Sequence, residues 1–411
     1  MLITRSKFFL ALLVAGLLSS PAYSQELARP GWAGFGTASQ IWWKGASVYE
    51  IDPHSFGGLA GITQHLDYIH SLGTDAVLLT RFQPDAAHPQ DIDPAIGTLD
   101  DLEELIHQAS NHNMRILIDL GVLAPATDPT SIARYWLNQG VAGFHISSLD
   151  EAAQLRKIAS SYKGQRIVIG DLDTANPIKQ GGPQLLLDAR LSKVNQLSAA
   201  ALRTELEAVQ PTQDLLLATD GPSTPRSITR LGDGQHDADI AKAVATLLFA
   251  NHTSALIYSG QELGLPSGEI KWGTPATGAL SKIPDNSRSV FAQEANPDSL
   301  LSWYRRLIAL HHSNATINSA PTTITLDHDS ENVLAWIRKP QVPTYKNPPV
   351  VIVCNLSAQT VHLSLVDDMK KLHLRGSFLR PILRSDNGMG PMSLDSMTLA
   401  PFAVYIGGLG Y

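Results

Sequence analysis

Three aspartates stand at or just past the ends of short apolar runs. Asp119 closes Ile116-Leu117-Ile118-Asp119, Asp171 follows Ile167-Val168-Ile169-Gly170, and Asp220 lies beyond Leu215-Leu216-Leu217-Ala218. A fourth run, Gly143-Phe144-His145-Ile146, carries a histidine and is followed by Ser147. A carboxyl group whose pKa is raised by burial can move protons, whereas a strand-end carboxylate can also simply cap backbone amides. Asp119 leans toward the second role. His145 reads as a hydrogen-bonded core histidine more readily than as a base, and nothing adjacent to Ser147 would activate it as a nucleophile. Trp42-Trp43 offers two aromatic faces, for stacking on a sugar ring or for packing across the end of a fold. Asp171 and Asp173 supply two carboxylates but no third ligand, so no metal or cofactor is assigned. Cys354 is the only cysteine; it follows Val351-Ile352-Val353 and reads as a buried strand residue, which leaves no intrachain disulfide.

The elements that must position these residues alternate with a regular beat. To the four runs above are added Ser47-Val48-Tyr49-Glu50-Ile51, Ala76-Val77-Leu78-Leu79, Leu185-Leu186-Leu187-Asp188 and Ala255-Leu256-Ile257-Tyr258. Continuous apolar runs of this length suit strands buried on both faces, as in a parallel sheet. Between them lie helical patterns. Thr98 with Asp101 offers a capping pair, Leu99, Leu102, Leu105, Ile106 and Ala109 form one face, and Asn111-His112-Asn113 ends the segment. Ile240, Val244, Leu247 and Leu248 repeat at the same spacing. Eight such units predict a (β/α)8 TIM barrel. A doubly wound open sheet has the same periodicity, but no GxGxxG or Walker loop follows the first strand.

From about Asn318 the helical period gives way to strand-like runs. Val333–Ile337, Val350–Val353, Val361–Leu365 and Ala403–Ile406 predict a small C-terminal all-β sandwich. At the other end, Arg5 and Lys7 precede an apolar run over 8–18, and Ala22-Tyr23-Ser24 supplies small residues for cleavage. This is the pattern of a secretory signal, too short to span a bilayer. The expected organisation is therefore a signal at 1–24, a barrel over 25–315 and a β-domain over 316–411, in a secreted or periplasmic protein with no membrane span in the mature chain. A net charge of −7, with only the isolated pairs Arg305-Arg306 and Lys370-Lys371, gives little support to a nucleic-acid or anionic-membrane surface.

Several segments, in order along the chain, resemble the α-amylase superfamily of glycoside hydrolases, of the maltase and sucrose-isomerase type. They are Trp42-Trp43-Lys44 with Val48–Phe56, Gly61-Ile62 through Leu72-Gly73, Ile92-Asp93-Pro94-Ala95-Ile96-Gly97-Thr98-Leu99-Asp100-Asp101-Leu102, and Tyr258-Ser259-Gly260-Gln261-Glu262-Leu263-Gly264. The resemblance implies a retaining site with a carboxylate nucleophile and a carboxylic acid about 5 Å apart. It also assigns places. Ser147 stands at the nucleophile position, Asp171 at the acid/base position where the family has Glu, and Asp220 at the transition-state stabiliser position. His145, in place of an orienting arginine, and Asp119, Trp42 and Trp43 fall at substrate-binding places. Glu262 falls in a motif that closes the barrel.

The departures are as informative as the matches. Leu123-Ala124 replaces the Asn-His pair after Asp119, Ala218-Thr219 replaces Asn-His before Asp220, and the Gly-Tyr-Asp stretch has no counterpart between Arg81 and Asp93. A neutral serine does not stabilise developing positive charge as a carboxylate does. The pattern is similar to the ectodomain of heteromeric amino-acid transporter heavy chains. Three readings follow. The first is a catalytically degenerate protein acting by binding a carbohydrate (an α-glucoside) or a protein. The second is a weak or altered hydrolase or transglycosylase on α-glucosides with a relocated nucleophile, for which Asp150 is nearest. The third is a non-catalytic sugar-binding module.

Overall fold

The computed structural model describes residues 41–125, 127–172, 181–209, 214–268, 272, 288–320, 322–327, 329–386 and 388–410. The expected signal segment and Asp173 lie outside them.

Eight parallel strands close into a barrel: β1 (Ser47–Ile51), β2 (Ala76–Leu79), β3 (Arg115–Asp119), β4 (Gly143–Ile146), β5 (Ile167–Asp171), β6 (Leu185–Asp188), β7 (Leu215–Ala218) and β8 (Ser254–Tyr258). The closing pair is β1 with β8, in the register Ser47↔Ala255 through Glu50↔Tyr258. That closure decides against the open sheet. Alternation along the strands sorts the side chains. Val48, Leu78, Leu117, Ile169, Leu216 and Leu256 fill the interior. Tyr49, Ile51, Val77, Phe144, Ile146 and Ile257 face the helical layer, in a second cluster that also holds Leu102, Leu105 and Ala109 of the helix Leu99–Asn111. This double burial explains why the strands read as unbroken apolar runs.

The helix Leu99–Asn111 starts where the sequence says it should. Thr98 accepts from the Asp101 backbone N–H, and Asp101 accepts from the Thr98 N–H in return. The helix Asp237–Phe249 is buried from Ile240 to Phe249, because it is covered on more than one side. Trp303 donates its indole N–H to Lys242 O at 3.0 Å, and Phe402 of the β-domain packs on Ile240 and Val244.

The C-terminal domain comprises β9 (Thr322–Leu326), β10 (Val333–Lys339), β11 (Val350–Asn355), β12 (Val361–Leu363), β13 (Phe378–Arg384), β14 (Met392–Ser393), β15 (Met397–Leu399) and β16 (Val404–Gly410). Six of these form a sheet in the order β14-β13-β16-β11-β10-β9, and β12 pairs with β15. One face of the sheet, with Leu334, Trp336, Ile352 and Ile406, joins the barrel's outer core. The other, with Ala335, Val351 and Val353, packs with Leu399 and Met397 of the two-stranded layer. The second layer also contains a short helix, Val366–Lys371, where the sequence suggested strands alone. Asp367 and Asp368 in its first turn and Lys370 and Lys371 in its last complement the helix dipole.

Candidate functional site

Strand parity places a polar layer above the apolar floor of the barrel. Glu50 lies two residues beyond inward-facing Val48, Asp119 beyond Leu117, Asp171 beyond Ile169, and Tyr258 beyond Leu256. On β4, Phe144 and Ile146 face the helices, which turns His145 inward. These positions are at the C-terminal ends of the strands, where barrels of this kind carry their sites.

His145 joins two of the predicted aspartates. Its Nδ1 lies 2.9 Å from Asp119 Oδ1 and its Nε2 lies 3.0 Å from Asp171 Oδ1. Burial opposes charge on the ring, but hydrogen bonds and charge from both carboxylates outweigh it and raise the imidazole to about 10. At neutral pH the ring is therefore an imidazolium with both N–H groups committed. Asp119 also accepts from the Gly121 backbone N–H at 2.9 Å, the capping role expected of it. The hydrogen bond from His145 holds the Asp171 carboxyl below the ordinary carboxylate range against the opposing effect of burial, and the Ser147 hydroxyl adds to this. Ser147 itself is exposed.

Asp220 is set apart from this group. It is buried, accepts from the Ser227 backbone N–H at 2.7 Å and lies 3.7 Å from Arg230 Nη2. Burial raises its pKa, and the Ser227 hydrogen bonds and nearby arginines offset part of the rise. Its carboxylate ties the β7 end to the helix Ser227–Leu231. Asp150 is exposed in the first turn of the helix Leu149–Ala159, off the strand end. Glu262 accepts from Tyr49 Oη at 2.8 Å, Tyr68 Oη at 2.7 Å and the Gly260 N–H at 2.9 Å, a structural knot under the β8 turn.

Trp42 and Trp43 are not brought to this layer, and the sugar-stacking reading of them is corrected here. The Trp42 indole donates to Gln165 O at 2.9 Å, and Arg115 stands 4.3 Å from its ring centre. Trp43 O accepts from Ser254 Oγ. Arg115 and Ser254 begin β3 and β8, and Gln165 precedes β5. Both tryptophans therefore close the opposite, N-terminal end of the barrel, packed against the interior cluster.

Two members of the polar layer escaped the sequence reading. Glu50 is 5% exposed, and its Oε2 has no hydrogen-bond partner among the described residues. Burial pushes its carboxyl up to about 8, with His145 and Arg226 opposing and Asp119 assisting. Arg226 is 6% exposed, donates from Nη2 to Ser259 O at 2.7 Å and lies 4.4 Å above the Tyr258 ring. Its Nη1 likewise has no partner among the described residues. The signal for Glu50 was present: a charged residue at an inward position of an otherwise apolar strand. Arg226 gave none, because it comes from a loop. At the rim, Arg81 donates to Asp52 at 2.9 Å, and His54 lies 2.9 Å from Asp52 and 3.2 Å from Asp93. Among the described residues no group of three His, Cys, Asp or Glu is arranged to hold a metal ion.

Residues 40–123 match the family model "Alpha amylase, catalytic domain". The chain is 42% identical to trehalose-6-phosphate hydrolase of Escherichia coli across 19% of this chain and 17% of that protein. It is 26% identical to an amino acid transporter heavy chain of Oryctolagus cuniculus across 65% of this chain and 59% of that one. It thus spans less than two thirds of the length of either relative. Among solved structures, a trehalose-6-phosphate hydrolase of Bacillus licheniformis superposes with a TM-score of 0.76 at 16% identity, covering 90% of this chain and 100% of that one. An isomaltulose synthase of Klebsiella gives the same score, identity and coverage. At these identities the superpositions bear on the fold alone. The first three strands of the barrel thus fall within the match to the α-amylase catalytic-domain model, and the chain is distantly similar to a trehalose-6-phosphate hydrolase and to an amino acid transporter heavy chain.

Proposed function

We propose that this protein is a secreted, catalytically degenerate α-amylase-family barrel that acts by binding a carbohydrate of the α-glucoside class, or a protein, rather than by turnover. One observation carries the reading. The Asp171 carboxyl, at the acid/base position, is hydrogen-bonded to the His145 imidazolium and held below its ordinary pKa. A general acid must hold a proton near neutral pH, and this one does not. Its expected partner is the exposed hydroxyl of Ser147, which donates to that same carboxylate instead of receiving help from a base. Asp220 is spent on the Ser227 amide. The similarity to transporter heavy chains across 59% of their length adds support for a barrel used as a binding domain.

The experiment is a turnover assay of the purified protein on α-linked glucosides and maltooligosaccharides, with Asp171→Asn alongside. The expected result is no turnover above that of the variant. Turnover that Asp171→Asn abolishes would overturn the proposal and establish a hydrolase with a relocated nucleophile.

A further inference from the structure

The polar layer divides into a satisfied half and an unsatisfied half. Asp119, His145 and Asp171 satisfy one another. On the β1–β8 side, two residues more than nine-tenths buried carry atoms with no hydrogen-bond partner among the described residues: Glu50 Oε2 and Arg226 Nη1. A buried polar group left unpaired costs free energy comparable to a lost hydrogen bond or more. Here two such groups lie on the same side of the barrel mouth.

They share one locality. Glu50 and Tyr258 are register partners across the closing strand pair, and the Arg226 guanidinium lies 4.4 Å over the Tyr258 ring, fixed by its bond to Ser259 O. Glu50 feels the charges of both Arg226 and His145. No salt bridge between Glu50 and Arg226 forms within 4.0 Å. The pair therefore presents one carboxyl and one guanidinium N–H to a third party, beside an aromatic wall.

We propose that Glu50, Arg226 and Tyr258 form a subsite for a neutral polyhydroxy ligand, one hydroxyl donating to Glu50 and another accepting from Arg226. A hydroxyl both donates and accepts, so a polyol satisfies both groups without bringing a charge into the barrel. An anion would suit Arg226 but would meet Asp119, Asp171 and Asp220, and a cation would meet Arg226 and His145. The subsite rests on the binding reading above and gives it a location away from the strand-end positions that Ser147 and Asp171 occupy.

The test uses glucose, maltose and trehalose as probes, titrated calorimetrically into the wild-type chain and into Glu50→Leu, Glu50→Gln and Arg226→Met. Melting without sugar reports whether each variant is folded. The expected result is millimolar-or-better binding of at least one probe, weakened tenfold or more in Glu50→Leu and Arg226→Met, and weakened less in Glu50→Gln. Glu50→Leu should also melt higher than wild type without sugar, because it removes an unpaired buried carboxyl. A purely structural Glu50 would lower it. Sugar binding equal in wild type, Glu50→Leu and Arg226→Met would overturn the subsite and leave the binding reading standing. Binding of none of the three probes to wild type would overturn the subsite and leave the protein-binding form of that reading.

Discussion

Two residues that titrate away from their usual range give the mouth of the barrel a pH signature. Glu50 is pushed up to about 8 by burial and His145 to about 10 by its two carboxylate partners. Both folded values exceed those of the unfolded chain, so both contributions to stability are complete at low pH. Glu50's fades from about pH 4.5 to about 8, and His145's from about pH 6.5 to about 10. Each pKa unit corresponds to about 1.4 kcal/mol. The melting temperature should therefore fall as pH climbs from 5 to 10. Glu50→Gln should flatten the lower part of that slope and His145→Gln the upper part. A slope unchanged by Glu50→Gln would mean that its carboxyl is already ionised in the folded protein. Asp171 acts in the opposite sense: its depressed pKa adds stability that is lost on acidification through the folded value. At this scale the sequence was only partly legible. Asp119, His145 and Asp171 were found because they sit at strand ends in a recognisable order. Arg226 was invisible because a loop, not a periodic element, delivers it. Trp42 and Trp43 carried two readings because an aromatic pair looks the same whether it meets a ligand or plugs a barrel, and the packing across the barrel end is the one observed.

Elements were more legible than residues, because periodicity is written locally. The runs at Ala76–Leu79, Gly143–Ile146, Leu185–Asp188 and Leu215–Ala218 are the observed strands β2, β4, β6 and β7 without a shift. β3 begins one residue early at Arg115, a charged residue that an apolar pattern excludes. β9, Thr322–Leu326, was missed because alternating threonines do not make an apolar run. The helix Val366–Lys371 was missed because its few buried residues include only Met369. The capping pair at the start of Leu99–Asn111 is the clearest local signal, and it is testable. Thr98→Ala removes the acceptor for Asp101 N–H and should cost about 1 kcal/mol in denaturant unfolding. An unchanged midpoint would show that the cap is redundant with the packing of Leu102 and Leu105. Gly58 adds a stricter constraint nearby: at φ 83° an added Cβ would stand 2.3 Å from Ile96 O.

For the whole molecule, the barrel and the β-domain share one apolar core. Trp336 is fully buried and donates its indole N–H to Ala250 O at 2.9 Å, linking β10 to the end of the helix Asp237–Phe249. Arg203 reaches from the barrel layer to the carbonyls of Asp327, Ser330 and Val333. Trp336→Ala should cost roughly 3–5 kcal/mol and lower a single melting transition. Two separate transitions in the wild type would show instead that the domains unfold independently. The same packing buries the asparagines of two Asn-X-Ser/Thr triplets, Asn251-His252-Thr253 and Asn355-Leu356-Ser357, a pattern that can be glycosylated only where the asparagine is exposed. Asn251 and Asn355 are buried, and the Asn355 amide donates to Gln359 O at 2.7 Å and Ala400 O at 2.8 Å. In the folded chain they are structural residues. The tryptophan plug has a consequence of orientation. Trp42 and Trp43 meet the barrel on the face opposite the strand ends that carry His145 and Glu50. The two ends of the barrel are thus unlike: an aromatic plug seals one, and charged and polar side chains line the other.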